Sequence, residues 1–135
     1  MKKYSNLLTA LFIAAIGFYF LYSKGLIFAN FESVSPKTAY EMIKKEPSLT
    51  ILDVRTPQEF KEDGHLEGAL LVPVQELEKR IGELEPYKNS EILVYCRSGS
   101  RSVKASRILA SKGFHPLNLK GGINMWKREA LPVVR

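Results

Sequence analysis

Residues 7–22, LLTALFIAAIGFYFLY, carry no charge, with Lys2 and Lys3 before them and Lys24 after them. No folded soluble domain of this size accommodates such a segment at its surface, because a helix made from it has no polar face. As a helix, residues 7–22 span about 24 Å at ~1.5 Å per residue. That is a little short of a hydrocarbon core of about 30 Å. Leu26, Ile27, Phe28 and Ala29 extend the run if the Lys24 side chain snorkels towards the headgroups, and Tyr4, Tyr19 and Tyr22 suit the interfacial belts. A permanent anchor is the preferred reading over a cleaved secretory signal. The apolar run is at the long end for a signal, and a cut after Ala29 would have bulky Ile27 where a small residue is favoured. The lysines ahead of the helix place the N-terminus in the cytoplasm and everything after Lys24 on the periplasmic or extracellular side. The expected organisation is therefore an anchor (or uncleaved signal) over 1–29 and one compact domain over 30–135.

An exported domain with a single cysteine has no internal disulfide partner, so Cys96 is either inert and buried or kept for reactivity. The net charge of +6 makes the chain mildly basic, without the dense Lys/Arg tract interleaved with aromatics that suggests nucleic-acid binding. Two separated histidines and one cysteine provide no cluster of metal ligands.

The segment from Asn30 to Arg135 alternates strand-like and helix-like stretches. Ser35-Pro36 opens a helix that Pro47 stops, and Thr56-Pro57 opens a shorter one ended by Gly64. Residues 49–54 (LTILDV), 69–73 (ALLVP), 91–95 (EILVY) and 116–119 (PLNL) read as strands, the third as a parallel strand covered on both faces. An amphipathic helix is expected near Gln75 to Leu84, and another from Ser102 to Lys112. A last one carries Trp126 after a Gly121-Gly122 turn. Such β-α alternation implies a parallel sheet flanked by helices, with chemistry beyond the carboxyl ends of the strands.

Cys96-Arg97-Ser98-Gly99-Ser100-Arg101-Ser102 lies at that place, between the most buried strand and a helix start. Backbone N–H groups of a curled loop, the helix N-terminus and the two arginines together supply positive potential for a thiolate. Gly99 lets the backbone curl around one point, which makes an anion cradle centred on the sulfur. An inert cysteine seldom precedes a Gly-centred loop bearing two arginines.

This loop resembles the active-site loop of rhodanese domains. Leu52 to Phe60 (LDVRTPQEF), Gly64 to Ala69 (GHLEGA), and Leu119-Lys120-Gly121-Gly122 with Trp126 and Leu131-Pro132-Val133 are similar to the family's other signatures, in the family's order. The resemblance implies an α/β, three-layer domain with a central, mainly parallel five-stranded sheet, here behind one transmembrane helix. Glu129-Ala130 stands where the pattern usually has Gly before "LPV". The family also includes phosphatases and inactive modules. Phosphatases use Cys-x5-Arg, a ring wide enough for phosphate, whereas Arg101 follows Cys96 after only four residues, as in the sulfurtransferase type.

The implied function is a sulfurtransferase working by double displacement. Cys96 takes sulfur from a small anionic donor, thiosulfate or a polysulfide, and holds it as a persulfide. A thiol, cyanide or another thiophile then removes it. Arg97 and Arg101 bind the donor's oxygens, and Ser98, Ser100 and Ser102 offer hydrogen bonds, although Ser102 can instead cap the helix. From Ile92 to Arg128 there is no acidic residue but eight Lys and Arg, in keeping with an anionic substrate. Asp53 and Arg55 are read as scaffold, linking neighbouring loops. His65 is read as structural or at the substrate rim, since attack by a preformed thiolate needs no base, and Trp126 as core. No cofactor is expected. Two alternatives remain open: a non-catalytic module binding an anion or protein in the same cradle, and a relay passing sulfur to a membrane protein partner.

Overall fold

The computed structural model describes residues 2–24 and 29–135. Helix α1 (Lys2–Ser23) runs 22 residues, about 33 Å at ~1.5 Å per residue. From Tyr4 to Ser23 it is long and apolar enough to cross a membrane, and nothing in that stretch is buried inside the protein. The expected extension through residues 26–28 lies outside the described residues.

The domain is built on five parallel strands: β1 (Glu32–Val34), β2 (Thr50–Asp53), β3 (Leu70–Leu71), β4 (Glu91–Tyr95) and β5 (His115–Leu119). Their order is β1-β5-β4-β2-β3. Registers Asp53↔Tyr95, Val94↔Asn118 and Val34↔Leu119 bring the carboxyl ends of the four longer strands level. Strand alternation then sorts side chains between two faces. Ile92, Val94 and Cys96 join Leu52, Val54, Ala105 and Leu109 in one core, under α4 (Ser100–Ser111). Leu93 and Tyr95 join Ile51, Leu119, Ala39, Ile123 and Trp126 in the other, under α2 (Pro36–Lys45) and α5 (Gly122–Arg128). The result is the expected three-layer arrangement.

The helix starts follow their capping chemistry. Ser35 Oγ accepts the Thr38 N–H and Pro36 takes the first helical position of α2. Thr56 and Glu59 form a reciprocal capping box at the head of α3 (Pro57–Glu62). Trp126 is 2% exposed, sits edge-on to Tyr40, and donates its indole N–H to the Pro132 carbonyl.

Three local expectations change. The helix expected from Gln75 to Leu84 is instead two 3₁₀ segments, Val74–Glu76 and Ile81–Tyr87, separated at Arg80, whose backbone (φ −103°, ψ 11°) is not helical. Gly82 weakens helix propensity there and Pro86 lacks a donor, so burial of Val74, Leu77 and Leu84 is met by tighter turns. The 69–73 strand shrinks to two paired residues before Pro73. Strand β1 was not anticipated, because an exposed three-residue edge strand carries no periodic signal.

Candidate active site

Strand β4 delivers Cys96 to the carboxyl edge of the sheet, and α4 begins at Ser100, two residues earlier than expected. The whole turn is therefore four residues long. Gly99, at φ 117°, closes it in a conformation that side chains rarely tolerate. Its N–H donates to Cys96 Sγ at 3.1 Å. The thiol donates to Ser102 Oγ at 3.5 Å, and the Ser102 hydroxyl donates to the Gly99 carbonyl at 3.1 Å. The α4 ladder starts with the Val103 N–H on the Gly99 carbonyl, which leaves the Ser100, Arg101 and Ser102 amides without an intrahelical acceptor. Cys96 itself is 1% exposed, so its sulfur sits at the floor of the turn.

A second element holds the turn from the other side. The Ile123 N–H donates to the Cys96 carbonyl at 2.9 Å and the Asn124 N–H to the Arg97 carbonyl at 3.1 Å. With trans peptides throughout, a carbonyl held towards α5 turns the next residue's N–H away from it. The clamp thus orients the Arg97 and Ser98 amides opposite α5. A Cβ on Gly122 would lie 2.5 Å from both clamped carbonyl oxygens, so only glycine admits this approach. In the sequence, Gly121-Gly122 signalled a tight turn; its role as a backbone clamp on the cysteine turn was not legible there.

The arginines differ. Arg101 makes a bidentate pair with Glu59 at 2.7 and 2.8 Å, tying the first turn of α4 to the first turn of α3. That pairing, with help from Thr56, holds the Glu59 carboxyl down to about 2. Arg97 is exposed and lines a small cavity of about 190 Å³ with Glu59, Glu62 and Asp63.

Asp53 and Arg55 are both fully buried and paired, at 2.7 Å between Oδ2 and Nη2. The guanidinium also donates to the Gly64 carbonyl and to Asp63, and Asp63 in turn accepts from Lys127 Nζ at 2.7 Å. The Lys127 hydrogen bond is the main reason the Asp63 carboxyl lies below its ordinary range. The Tyr95 hydroxyl accepts the Leu66 N–H, and burial, reinforced by Asp53, pushes it above the usual phenol range. This network joins the ends of β2 and β4 to α3 and α5. His65 stacks on Phe60 at 3.7 Å, its Nδ1 lies 3.0 Å from the Phe60 carbonyl, and its backbone bridges Val134.

Of the loop hydroxyls, Ser102 touches the thiol, Ser98 is exposed, and Ser100 Oγ accepts from Lys24 Nζ at 3.1 Å. Cys96, Gly99 and Ser102 thus meet at the sulfur, Arg101 meets Glu59, and Asp53, Arg55 and His65 serve the surrounding frame.

Comparison with known proteins agrees with this geometry. Residues 35–129 match the model of the rhodanese-like domain. A sulfurtransferase of Allochromatium vinosum is 39% identical over 62% of this chain and 77% of its own length. The thiosulfate sulfurtransferase PspE of Escherichia coli is 34% identical with the same coverage. Among solved structures, a rhodanese-related protein from Thermoplasma volcanium superposes with a TM-score of 0.70 at 33% identity, covering 77% of this chain and 98% of that one. A polysulfide-sulfur transferase homodimer from Wolinella succinogenes also reaches 0.70, at 27% identity over 93% of this chain and 88% of its own. A turn closed on a buried cysteine at the carboxyl edge of a five-stranded parallel sheet, with relatives of this kind, makes the chain a member of the rhodanese-like family.

Proposed function

We propose that the chain is a sulfurtransferase carrying sulfur as a persulfide on Cys96, held at a membrane surface by α1. The observation that carries this reading is the Gly99 N–H directed at Cys96 Sγ within a four-residue turn. Such a turn presents the Gly99 amide to a single sulfur anion, and Arg101 follows Cys96 one residue sooner than in the Cys-x5-Arg ring that takes a phosphate. Arg101 following after four residues, and fastened to Glu59, keeps the ring short.

In the first half-reaction the Cys96 thiolate attacks the outer sulfur of thiosulfate. A Cys96 S–S bond forms as the sulfur–sulfur bond of the donor breaks, and sulfite leaves with the electron pair. A polysulfide donor gives the same persulfide and a chain shorter by one sulfur. The persulfide anion rests among the N–H groups of the turn, with the N-terminus of α4 adding positive potential. Arg97, exposed at the mouth, meets the incoming dianion. Asp53, Arg55 and His65 hold the frame.

Helix α1 sets the location. Its length and unburied apolar surface suit a single span, residues 1–29 acting as anchor and 30–135 as the catalytic domain. Lys2 and Lys3 favour a cytoplasmic N-terminus, with the domain on the periplasmic or extracellular side. Protease added outside intact cells should then remove the domain, and its protection would reverse that orientation.

Intact-mass measurement of the full chain in detergent, after thiosulfate or polysulfide, tests the chemistry. Wild type should gain one sulfur atom and Cys96→Ser none. Absence of the adduct with every donor would favour a binding module.

A further inference from the structure

Helix α1 does not stand clear of the domain: its end rests on α4. Between them lies a cleft of about 460 Å³, walled by Tyr19 and Tyr22 on one side and by Val103, Lys104, Arg107 and Ile108 on the other. These α4 positions recur at three and four residues, so they share one face of the helix. The joint beside the cleft is polar. The Arg107 guanidinium carbon lies 3.8 Å from the Tyr22 ring centroid, and Nη2 donates to the Tyr22 carbonyl, one of the last four of α1 that no helical N–H can reach. Lys24 Nζ donates to Ser100 Oγ at 3.1 Å, and Ser100 lines the same cleft.

Depth points to the occupant. The apolar stretch Tyr4–Ser23 has 20 residues, about 30 Å at ~1.5 Å per residue, which is the thickness of a hydrocarbon core. With α1 in a bilayer, Tyr19 and Tyr22 lie at the edge of that core, where tyrosines concentrate, and the cleft opens into the headgroup layer. What surrounds its mouth there is lipid.

Charge selects the lipid. No carboxylate lines the cleft, whereas Lys104 and Arg107 both do. Lys104 is exposed and makes no ion pair among the described residues. An ammonium group held at the depth of the phosphates attracts anionic lipid. Tyr19, Val103 and Ile108 add an apolar wall, which suits an amphiphile better than a soluble anion.

From these features we infer that the cleft between α1 and α4 binds an anionic phospholipid. Its phosphate sits at Lys104 beside Arg107, and the upper part of its acyl chains lies against Tyr19 and Ile108. Bound lipid holds α4 to the bilayer. Because α4 begins at Ser100, directly after the cysteine turn, the lipid also sets how that turn meets the membrane surface. The inference rests on the reading of α1 as a span, and the two fail in different experiments.

Release of the full chain from membranes by a carbonate wash would refute the span and the inference with it, whereas failure of a lipid titration refutes the inference alone. For the titration, ¹⁵N-labelled full chain in maltoside micelles receives dihexanoyl phosphatidylglycerol, dihexanoyl phosphatidylcholine or glycerol 3-phosphate. Phosphatidylglycerol should shift the Lys104 and Arg107 amides and bind about fivefold more tightly than phosphatidylcholine. Lys104→Gln should remove that preference and Lys104→Arg should keep it. Lys37→Gln, on α2 across the sheet, should leave it unchanged. Equal binding of the two lipids, or a preference that survives Lys104→Gln, would overturn the inference. So would equal shifts from glycerol 3-phosphate, which has the phosphate without acyl chains, or a photo-crosslink from position 104 to a protein in place of lipid in whole membranes.

Discussion

The two flanks of the Cys96 turn use charge in opposite ways. On the α3 flank nearly every ionic group is already matched: Arg101 with Glu59, Arg55 with Asp53 and Asp63, Lys127 with Asp63. On the β5 flank the fixing is done by backbone, through the Ile123 and Asn124 amides on the loop carbonyls, and Lys24 and Lys120 make no ion pair among the described residues. Charges satisfied inside the protein build the frame and have little left for a substrate. Charges without internal partners are the ones available to a ligand. An arginine near a cysteine in sequence is thus weak evidence of substrate contact until its partners are known.

The largest effect should come from the matched flank. Arg55→Met leaves Asp53 buried and unpaired, and should cost about 3–5 kcal/mol in urea unfolding. A cost under ~1 kcal/mol would mean the pair is not part of the frame. Next comes the clamp. Gly122→Ala puts a methyl group 2.5 Å from two loop carbonyls, so the turn must shift. Overpacking of this kind costs about 1–3 kcal/mol, and sulfur loading should slow by at least about tenfold, because displacement by even 1 Å disturbs a reacting geometry. Unchanged loading would show that α5 does not set the turn.

The acid response sharpens the contrast further. Glu59 has its carboxyl lowered from an ordinary 4.5 to about 2, so its pairing contributes fully above pH 4.5 and is lost as pH falls towards 2. Wild type should therefore lose more stability between pH 7 and pH 3 than Glu59→Gln, which lacks that titration. Parallel losses in the two proteins would argue that the pair is screened by solvent. The smallest effect concerns Ala130, the one non-glycine residue at positive φ among the described residues (φ 57°). Gly is usual at this place in the family pattern, and Ala130→Gly should raise stability by about 0.5–1 kcal/mol through relief of left-handed strain. A lowered thermal midpoint would contradict the strain argument.

Much of the frame was legible in the chain because it depends on neighbours in sequence. Ser35-Pro36 and Thr56-Pro57 announce helix starts through caps that act within three residues. The unbroken apolar run of β4 announces a strand covered on both faces. Cys96 and Gly99 of the turn and Ser102 in the first turn of α4 are close in sequence, so their meeting at the sulfur follows from local geometry. Gln75–Leu84 misled because its apolar spacing fits both α and 3₁₀ turns, and packing against the sheet chose the tighter one.

By itself, then, the order of residues determined the anchor-like helix, the parallel α/β plan and the position of Cys96 at the end of β4, since each depends on hydrophobic periodicity or on contacts a few residues apart. Only the tertiary structure decided that Arg101 belongs to Glu59, 42 residues away, and that α5 orients the loop amides. It also decided that Lys24, Asn118 and Lys120 line one cavity with Ser98 and Gly99 of the turn. Contacts of that kind arise from how strands are ordered in the sheet, which no local pattern encodes.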